Sequence, residues 1–323
     1  MCRQTGEVAA VRVLSHLGPS GVFALPPDLA GMVELVPVPT RGDLDPALRG
    51  EVLVTLPWEV ETLAETLRRG VRWVHVTGTG VDAFPLQLIG EGVVLTNSRG
   101  ASAVPISEWV LATMLAFEKR LPESWETRSP EDWRRGQLRD LGTLAGKRLA
   151  LVGLGGIGSA TATRALAFDM QVRALRRRDR PSPVPGVETV RSLPALLDGA
   201  DHVVLAAPLT PETRGLIGRE AFGAMKPGVH LVNVARGALV DQDALRAALD
   251  DGTVSMASLD AVDPEPLPEG HWLYTHPKVR LSPHLSWSAP GALDLLAQMF
   301  IENLRRFVAG ESLQHVVDLD AGY

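Results

Sequence analysis

The chain has 323 residues, of which 45% are hydrophobic and 22% are charged, and its net charge is -6. This length exceeds what one hydrophobic core usually supports, so two domains are expected, and the composition excludes a wholly disordered chain. The acidic balance argues against a nucleic-acid or anionic-membrane partner, and the single cysteine, Cys2, excludes an intramolecular disulfide and a cysteine-based zinc cluster.

The first residues show no charged segment followed by a long apolar run. No stretch of about 18 uncharged apolar residues, the length that a bilayer span requires, occurs anywhere in the chain. We therefore expect no signal peptide, no membrane-spanning helix and a cytoplasmic location.

Short apolar runs alternate with polar turns through the first hundred residues. They predict five strands: Val11–Leu14, Glu34–Val38, Val52–Leu56, Val71–Val76 and Val93–Thr96. A short helix is predicted over Leu63–Arg69, between the third and fourth of these strands. Strands separated by helical segments indicate a parallel sheet with crossover helices.

The pattern changes after Ser102. Apolar residues at helical spacing predict a long helix over Ser107–Lys119, with Ser102 or Ser107 as its N-cap. The charged segment Leu121–Leu141 follows and carries two tryptophans. Its composition is typical of an arm or an interface rather than of a core.

A second series of strands and helices begins at Lys147. It predicts six strands: Arg148–Val152, Gln171–Leu175, His202–Ala206, His230–Val234, Ser255–Leu259 and Val279–Leu281. Helices are predicted over Ile157–Phe168, around Pro194–Leu197 and Asp243–Leu249, and over Ala289–Val308. This alternation is typical of a doubly wound α/β domain, and the last helix is expected to return to the first domain.

The strongest local motif has the form G-x-G-x-x-G and stands between a predicted strand and a predicted helix. Its first glycine permits a tight turn, its second lets the backbone approach a pyrophosphate, and its third allows close packing of helix on strand. We therefore expect a dinucleotide to bind at Gly153, Gly155, Gly156, Ile157 and Gly158.

The end of the next strand distinguishes NAD from NADP. NAD sites usually place an acidic residue there, bonded to the ribose 2′-hydroxyl, but this position holds Arg176, followed by Arg177 and Arg178. Arginine pairs with a 2′-phosphate through charge-assisted bonds, so NADP(H) is the expected cofactor. NAD(H) stays possible, because Asp179 is near enough in sequence to reach the ribose and because arginine runs are often solvated surface.

Three residues are candidates for the chemistry. His284 follows a predicted strand, at the edge where parallel sheets bind ligands, whereas the other seven histidines are expected to be surface or structural. Arg236 follows a buried strand and is suited to clamp a carboxylate bidentately. Glu265 lies in a proline-stiffened loop, and a carboxylate held near a histidine favours the charged imidazolium. Taken singly, each also fits an ordinary surface residue.

Together these motifs resemble the D-isomer-specific 2-hydroxyacid dehydrogenase family. The resemblance covers most of the chain. The matching segments, in chain order, are Gly78–Asp82, Thr96–Ser98, Leu144–Lys147, the glycine motif, Ala207–Gly215, Met225–Gly228, Asn233–Gly237, Leu259–Asp260, Pro264–Pro266 and Ser282–His284.

The resemblance implies a fold and an assembly. Residues 1–99 and 286–323 are expected to form a flavodoxin-like substrate domain, and residues 100–285 an inserted Rossmann cofactor domain, with the active site in the cleft between them. Family members are usually homodimers joined through the cofactor domains. The apolar helix near Ser107 and the tryptophan-bearing segment suit that contact.

The resemblance also implies residue roles. The family's catalytic Arg, Glu and His fall on Arg236, Glu265 and His284. The family's turn that binds the substrate carboxylate through backbone N–H groups falls on Gly78, Thr79 and Gly80. Further cofactor contacts are implied for Ala207, Pro208, Ala235 and Asp260, of which Asp260 corresponds to the residue facing the nicotinamide amide. No metal is expected.

The expected function is an NADP-preferring oxidoreductase that acts on small 2-oxo or D-2-hydroxy acids of the glyoxylate or hydroxypyruvate type. The arginine at position 176 is similar to the NADP-preferring glyoxylate/hydroxypyruvate reductases of the family. Trp58 and Trp287, which are bulky residues near motif positions, leave the acyl group of the substrate open. The alternative is a non-enzymatic interaction protein of the same fold that senses a dinucleotide.

Overall fold

The computed structural model describes residues 10–17, 25–137, 140–177 and 180–323. Its strands are β1 (Val11–Ser15), β2 (Val33–Pro37), β3 (Val52–Thr55), β4 (Trp73–Val76), β5 (Val94–Asn97), β6 (Arg148–Val152), β7 (Gln171–Leu175), β8 (Glu188–Val190), β9 (His202–Leu205), β10 (Val229–Asn233), β11 (Val254–Leu259) and β12 (Val279–Leu281). Its helices are α1 (Leu63–Leu67), α2 (Ala103–Lys119), α3 (Leu121–Ser124), α4 (Pro130–Gly136), α5 (Gly156–Ala167), α6 (Leu193–Leu197), α7 (Arg219–Gly223), α8 (Gln242–Asp250) and α9 (Ala292–Val308).

The described residues form two compact units. One consists of the residues up to Ser102 together with Pro290–Tyr323, and the other of Ala103–Ala289. These borders lie a few residues beyond the ones expected from the sequence. Each unit has its own parallel sheet and its own core.

The first unit is a flavodoxin-like sheet. Its five parallel strands have the order β2-β1-β3-β4-β5, the order of the flavodoxin type. The predicted return of the last helix is confirmed, because α9 packs on this sheet. Phe300 of α9 stacks on Trp73 of β4, with ring centroids 5.4 Å apart, and both side chains are buried.

The second unit is a Rossmann-type sheet. Its strands are all parallel, in the order β12-β11-β10-β9-β6-β7-β8, so that the first strand of the unit, β6, lies inside the sheet between β9 and β7. The α/β fold class is therefore confirmed, but the expectation of six strands is wrong, since the sheet has seven. The missed strand, β8, has only three residues at the sheet edge, and none of them is buried.

The start of α2 also differs from the expectation. The helix begins at Ala103, so Ser107 lies inside it, is buried, and donates its hydroxyl to the carbonyl of Val104 at 2.7 Å. Ser107 is therefore not the N-cap. Pro105 is tolerated because it lies in the first turn, where its missing N–H would have no helical partner.

The strand register of the second unit has a direct consequence for its loops. One row of seven paired residues crosses the sheet, and every member is the last residue of its strand: Val190, Leu175, Val152, Leu205, Asn233, Leu259 and Leu281. The loops after all seven strands therefore leave the sheet at one level along its carboxyl edge. In α/β sheets this edge is the ligand-binding side.

A buried polar chain lies within the second unit. The Nδ1 atoms of His202 and His230 are 3.2 Å apart, and Nε2 of His230 lies 2.9 Å from the Ser258 hydroxyl. His230 also stacks on Phe117 of α2 at 4.6 Å, and Glu118 approaches Nε2 of His202 at 3.1 Å. These histidines join strands to α2 and have a structural role.

No helix within the described residues has the length and apolar character needed to cross a membrane. The same part of the chain contains no group of three or more His, Cys, Asp or Glu side chains suited to hold a metal ion.

Buried histidines make the stability of the protein dependent on pH. Burial lowers the pKa of His75 to about 3 and the pKa of His16 to about 4, whereas in an unfolded chain such rings take up a proton near pH ~6.5. Below that pH the unfolded state binds more protons than the folded state. The free energy of unfolding therefore falls as the pH drops from about 6.5.

We predict that His75→Gln flattens this dependence, because glutamine removes one titrating group. The slope of the free energy of unfolding between about pH 6 and pH 4 should decrease by about 1.4 kcal/mol per pH unit. Urea unfolding at a series of pH values measures the slope, and His271→Gln at a partly exposed position is the control. An unchanged slope in His75→Gln would contradict the prediction.

Candidate active site

The glycine motif forms a tight loop between β6 and α5. Gly153 has a φ of +98°, and a Cβ atom there would lie 2.8 Å from the carbonyl oxygen of Ala206. A Cβ at Gly158 would lie 2.2 Å from the carbonyl oxygen of Gly153, whereas nothing lies within 4 Å of a Cβ at Gly155. The first glycine, Gly153, therefore permits the tight turn after β6, and the third, Gly158, permits close packing of α5 on this turn. The second, Gly155, leaves open space next to the backbone.

The first turn of α5 is suited to an anion. Gly155 occupies the N-cap position and offers no side chain, so the amide hydrogens of the first turn, which begins at Gly156 and Ile157, have no side-chain cap. Helix N-termini bind phosphates through such N–H groups and through the helix dipole. The open space at Gly155 and this uncapped turn together fit the pyrophosphate of a dinucleotide.

Arg176 stands directly after β7, whose last carbonyl, that of Leu175, accepts a hydrogen bond from the N–H of Gly153 at 3.0 Å. The Nη1 of Arg176 donates to the carbonyls of Arg180 and Pro181 at 3.1 and 2.5 Å. A guanidinium has three further N–H donors, on Nε and Nη2. Arg176 thus lies beside the glycine loop, while Arg178 and Asp179 are outside the described residues.

Arg177 is near the loop that follows β9. A hydrogen bond with Thr210 lowers the pKa of the exposed Glu212, and the charge of Arg177 contributes to the same shift. This loop begins with Ala207 and Pro208, and the Pro208 carbonyl accepts a hydrogen bond from the Thr213 hydroxyl at 2.8 Å. The structure therefore brings the loop after β7 and the loop after β9 together.

Asn233, the last residue of β10, holds the turn that carries Arg236. Its Oδ1 accepts from the N–H of Ala235 at 3.0 Å, and its Nδ2 donates to the carbonyl of Arg236 at 2.9 Å. The Nη1 of the half-buried Arg236 donates to the carbonyl of Ala235 at 2.8 Å. The sequence shows Asn233 as an amide at the end of an apolar strand, but this position alone does not predict that its side chain holds the following turn.

Gly237 lets this turn touch the next loop. A Cβ atom at Gly237 would lie 1.9 Å from the carbonyl carbon of Val262 and 2.3 Å from the N atom of Asp263. Backbone contacts of this kind leave no room for any side chain. The turn of Arg236 and the loop of Glu265 are therefore packed directly against each other.

His284 and Glu265 form an ion pair or hydrogen bond. The Nδ1 of His284 lies 2.9 Å from the Oε2 of Glu265, and each side chain is about 40% exposed, at 41% and 39%. The Oε1 of Glu265 accepts from the N–H of Val262 at 3.0 Å, which orients the carboxylate. This arrangement leaves Nε2 as the ring nitrogen that does not face Glu265.

The backbone at His284 is unusual. Its φ is +51°, in the left-handed region that non-glycine residues rarely adopt. The N–H of His284 approaches two carbonyl oxygens, those of Asp260 and Ser282, each at 3.0 Å. The indole Nε1 of Trp287 donates to the carbonyl of His284 at 2.9 Å.

Asp260 lies beneath the loop that carries His284. Its Oδ1 accepts from the Ser282 hydroxyl at 2.5 Å and from the N–H of Leu285 at 3.0 Å, and its Oδ2 accepts from the N–H of Ser286 at 3.0 Å. Asp260 is only 2% exposed. No local sequence pattern predicts these contacts, because they join residues more than twenty positions apart.

Within the first unit, the turn at Gly78, Thr79 and Gly80 is held by the end of β5. Asn97 donates from Nδ2 to the carbonyl of Thr79 at 2.7 Å, and the N–H of Ser98 donates to the carbonyl of Gly78 at 2.8 Å. The N–H of Gly78 itself donates to the carbonyl of Val76 at 3.0 Å. Because the N–H of Gly78 is already bonded, only the N–H groups of Thr79 and Gly80 are candidates for the carboxylate binding that the sequence implied for this turn.

Comparison with known proteins supports this description. The sequence model of the family described as "D-isomer specific 2-hydroxyacid dehydrogenase, NAD binding domain" matches residues 111–286. The glycerate dehydrogenase of Methylorubrum extorquens is 30% identical over 270 residues, which make up 80% of this chain and 83% of that protein.

Two further proteins show the extent of the similarity. The D-3-phosphoglycerate dehydrogenase of Methanocaldococcus jannaschii is 33% identical over 75% of this chain and 46% of that protein, so the chain spans about half the length of this relative. The crystal structure of a D-isomer specific 2-hydroxyacid dehydrogenase from Xanthobacter autotrophicus, in complex with NADPH and MES, has a TM-score of 0.80 at 28% identity. The match covers 98% of this chain and 100% of that one.

We predict that Gly237→Ala destabilises the second unit, because the new methyl group would collide with the Val262–Asp263 peptide. Overpacking of this kind typically costs about 1–3 kcal/mol, and urea unfolding measures it. Gly223→Ala is the matched control, since Gly223 is the last residue of α7 and a Cβ there meets nothing within 4 Å. Equal stabilities of the two variants would contradict the prediction.

Proposed function

Because the chain belongs to the D-isomer specific 2-hydroxyacid dehydrogenase family, we propose that it is a nicotinamide-dependent reductase of small 2-oxo acids and, in reverse, a D-2-hydroxyacid dehydrogenase. The observation that carries the proposal is the 2.9 Å contact between Glu265 and Nδ1 of His284 at the carboxyl edge of a Rossmann-type sheet. An imidazole oriented by a carboxylate is suited to general acid–base catalysis.

The loop after β6 fits a dinucleotide. Gly155 leaves open space before an uncapped helix N-terminus, and Ala207, Pro208 and Ala235 lie in the loops that follow the neighbouring strands β9 and β10. We assign the pyrophosphate to the first turn of α5 and the adenosine ribose to Arg176 and Arg177. The bound nicotinamide cofactor would supply a hydride to C2 of the substrate.

The proton step belongs to His284. Nε2–H would give a proton to the carbonyl oxygen of a 2-oxo acid, and in the reverse direction the deprotonated Nε2 would accept the hydroxyl proton. Glu265 orients the ring through Nδ1, and the N–H of Val262 fixes Glu265 in turn. General acid catalysis of this kind typically contributes about 10²–10⁴-fold in rate.

We assign substrate binding to the side chain of Arg236 and to backbone N–H groups of the turn at Gly78–Gly80. The guanidinium of Arg236 would pair with the substrate carboxylate and stabilise the charge that develops on the carbonyl oxygen. In the first unit, the N–H groups of Thr79 and Gly80 are our candidates for carboxylate binding. Both turns are fixed by asparagine side chains, Asn233 and Asn97, so the binding groups are ordered before a substrate arrives.

The substrate class that we propose is a small 2-oxo acid of the glyoxylate or hydroxypyruvate type, with NADPH as the preferred cofactor. The glycerate dehydrogenase relative and the NADPH complex of the Xanthobacter structure support this choice. Trp58 and Trp287 are 53% and 36% exposed. We assign Trp287, whose indole donates to the carbonyl of His284, to the surroundings of the acyl group.

We further propose a cytoplasmic homodimer joined through α2 and the segment after it. In this segment Trp125 and Trp133 are 68% and 64% exposed, and Val104 of α2 is 50% exposed. Large exposed apolar side chains in one region are typical of an interface. Sedimentation equilibrium would show the dimer, and a monomer at micromolar concentration would contradict it.

We predict that His284→Gln lowers kcat for 2-oxo acid reduction by about 10²–10⁴-fold, because the variant lacks the proton donor. The dissociation constant of NADPH, measured by fluorescence, should stay within about threefold, since the imidazole acts on the substrate. His276→Gln, in the same unit but beside Asp250, is the control and should keep the wild-type rate. A folded His284→Gln protein with more than half the wild-type kcat would overturn the assignment.

The same assay tests the enzymatic function itself. Oxidation of NADPH by at least one 2-oxo acid from a panel that includes glyoxylate and hydroxypyruvate is the expected result. No turnover with any member of the panel, together with tight dinucleotide binding, would favour a non-enzymatic dinucleotide sensor.

We predict that Arg176→Asp reverses the cofactor preference. A hydrogen bond to a charged group contributes about 1.5–3 kcal/mol, so one arginine contact to the 2′-phosphate favours NADPH by roughly ten- to a hundredfold. The ratio of kcat/KM with NADPH and NADH measures this preference, and added salt should reduce it. Arg219→Asp, with the same charge change at the exposed start of α7, is the control. Equal use of both cofactors by the wild type would contradict the prediction.

A further inference from the structure

We propose that the segment 314–317 of the first unit is a positioning element for the turn at Gly78–Gly80. Asn303 of α9 holds this segment, the segment pairs with β5, and the last residue of β5, Asn97, holds the turn. This inference rests on the proposed function, because the turn affects catalysis only if it binds the substrate carboxylate. Asn303 is the positioning residue, and it acts through Asn97.

Asn303 makes two hydrogen bonds to the backbone of one residue. Its Oδ1 accepts from the N–H of Gln314 at 2.8 Å, and its Nδ2 donates to the carbonyl of Gln314 at 2.9 Å. The asparagine is only 1% exposed, so water hardly competes for these bonds. An amide side chain presents a donor and an acceptor together, whereas an ionised carboxylate only accepts. Asn303 therefore fixes Gln314 relative to α9.

The backbone directly after Gln314 needs such a constraint. His315 has a φ of +55°, in the left-handed region that residues with a Cβ atom rarely adopt. A conformation of this kind persists only where the surrounding structure holds it. The two bonds of Asn303 hold the residue before His315, and so they fix the segment at the point where the chain turns toward β5.

The segment then covers the outer edge of β5. This strand is the last in the order of the first sheet, so its outer edge faces no further strand of that sheet among the described residues. Thr96 and Val316 form an antiparallel bridge there, and the N–H of Val317 donates to the carbonyl of Leu95 at 2.9 Å. Val317 is buried in the core of the first unit. The pairing thus satisfies backbone groups that an edge strand otherwise leaves open.

Asn97 connects the segment to the turn. Its backbone N–H donates to the carbonyl of His315 at 3.3 Å, and its Nδ2 donates to the carbonyl of Thr79 at 2.7 Å. The peptide group that contains the Thr79 carbonyl also contains the N–H of Gly80, a candidate for carboxylate binding. Because a peptide group is planar, the bond from Asn97 sets the direction of that N–H. A shift of the segment would therefore reorient a group that binds the substrate.

The consequence is expected in substrate binding. An N–H group that is already oriented binds a carboxylate without a further entropic cost of ordering. Loss of a bond at Asn303 would release the segment, and the turn would then have to be ordered by the substrate. The NADPH site should stay intact, because the glycine loop belongs to the second unit.

The test is the isosteric variant Asn303→Asp. Its ionised carboxylate cannot donate to the carbonyl of Gln314, so one of the two bonds is lost. We expect KM for the 2-oxo acid to rise on the order of tenfold, which corresponds to one hydrogen bond. Both kcat and the dissociation constant of NADPH should change by less than about threefold. A merely structural loss would lower the folded fraction, and with it kcat, at an unchanged KM, and this outcome overturns the proposal.

Two substitutions at one exposed position provide the matched control. Both bonds of Asn303 go to the backbone of Gln314, and the side chain of Gln314 is exposed. Gln314→Ala keeps the backbone groups and should have the wild-type KM. Gln314→Pro removes the N–H and should raise KM as Asn303→Asp does, while the buried asparagine stays in place. Equal KM values for the two Gln314 variants contradict the proposal.

A double-mutant cycle tests whether the effect passes through Asn97. Asn97→Ala removes the side chain that holds Thr79, and it should itself raise KM. If Asn303 acts through Asn97, adding Asn303→Asp to Asn97→Ala raises KM by less than about twofold further. A second increase as large as the one in the wild-type background shows independent effects and overturns the linkage.

Amide hydrogen exchange tests the segment without turnover. The N–H groups of Asn97 and Val317 both donate into the pairing, so in Asn303→Asp they should exchange at least about tenfold faster than in the wild type. The amides of β3, inside the same sheet, should not change. Unchanged exchange at Asn97 and Val317 overturns the positioning role even if the wild type reduces 2-oxo acids. A wild type without activity overturns the proposed function alone, because the exchange rates do not depend on turnover.

Discussion

The in-register parallel pairing of the second sheet is the constraint on which the candidate site depends. Because the last residues of β6, β7, β9, β10, β11 and β12 are paired in one row, their loops start at the same level. The glycine loop, Arg176, Arg236, Asp260 and His284 therefore come together although 131 positions separate Gly153 from His284. A shift of one residue in any strand would turn its side chains to the other face of the sheet.

Polar side chains at the strand ends hold the loops of the candidate site in place through hydrogen bonds. Asn233 donates a hydrogen bond to the turn that carries Arg236, and Asp260 accepts hydrogen bonds from the 282–286 loop. Gly237 allows the turn of Arg236 to contact the backbone of the loop that carries Glu265. None of these residues needs to touch a substrate. Their buried hydrogen bonds are costly to break, because a buried carboxylate or amide without partners loses the full benefit of solvation. The chemistry of the exposed His284 is thus supported by residues that solvent does not reach.

Much of this architecture could be predicted from the sequence. The boundaries of β6, β7 and β12 agree with the prediction. For β6 the reason is that a buried parallel strand is a nearly continuous apolar run. The elements that were missed, β8 and the helices α3, α4 and α7, are short, and three to seven residues carry too little periodicity to indicate a structure. The predicted range of α2 began four residues late, at Ser107, but Ser102, the other predicted N-cap, stands directly before the observed start at Ala103.

The sequence by itself determined the two-unit α/β organisation, the glycine loop and the identity of the residues that bear chemistry, because these depend on local patterns and on side-chain type. Only the tertiary structure decided which groups meet. Glu265 contacts Nδ1 of His284 although the two residues follow different strands. The donors around Asp260 likewise come from the loop after the next strand, and the same loop contains the left-handed backbone at His284. Pairwise contacts of this kind follow from strand order and register, which are properties of the folded sheet and not of any single segment of the chain.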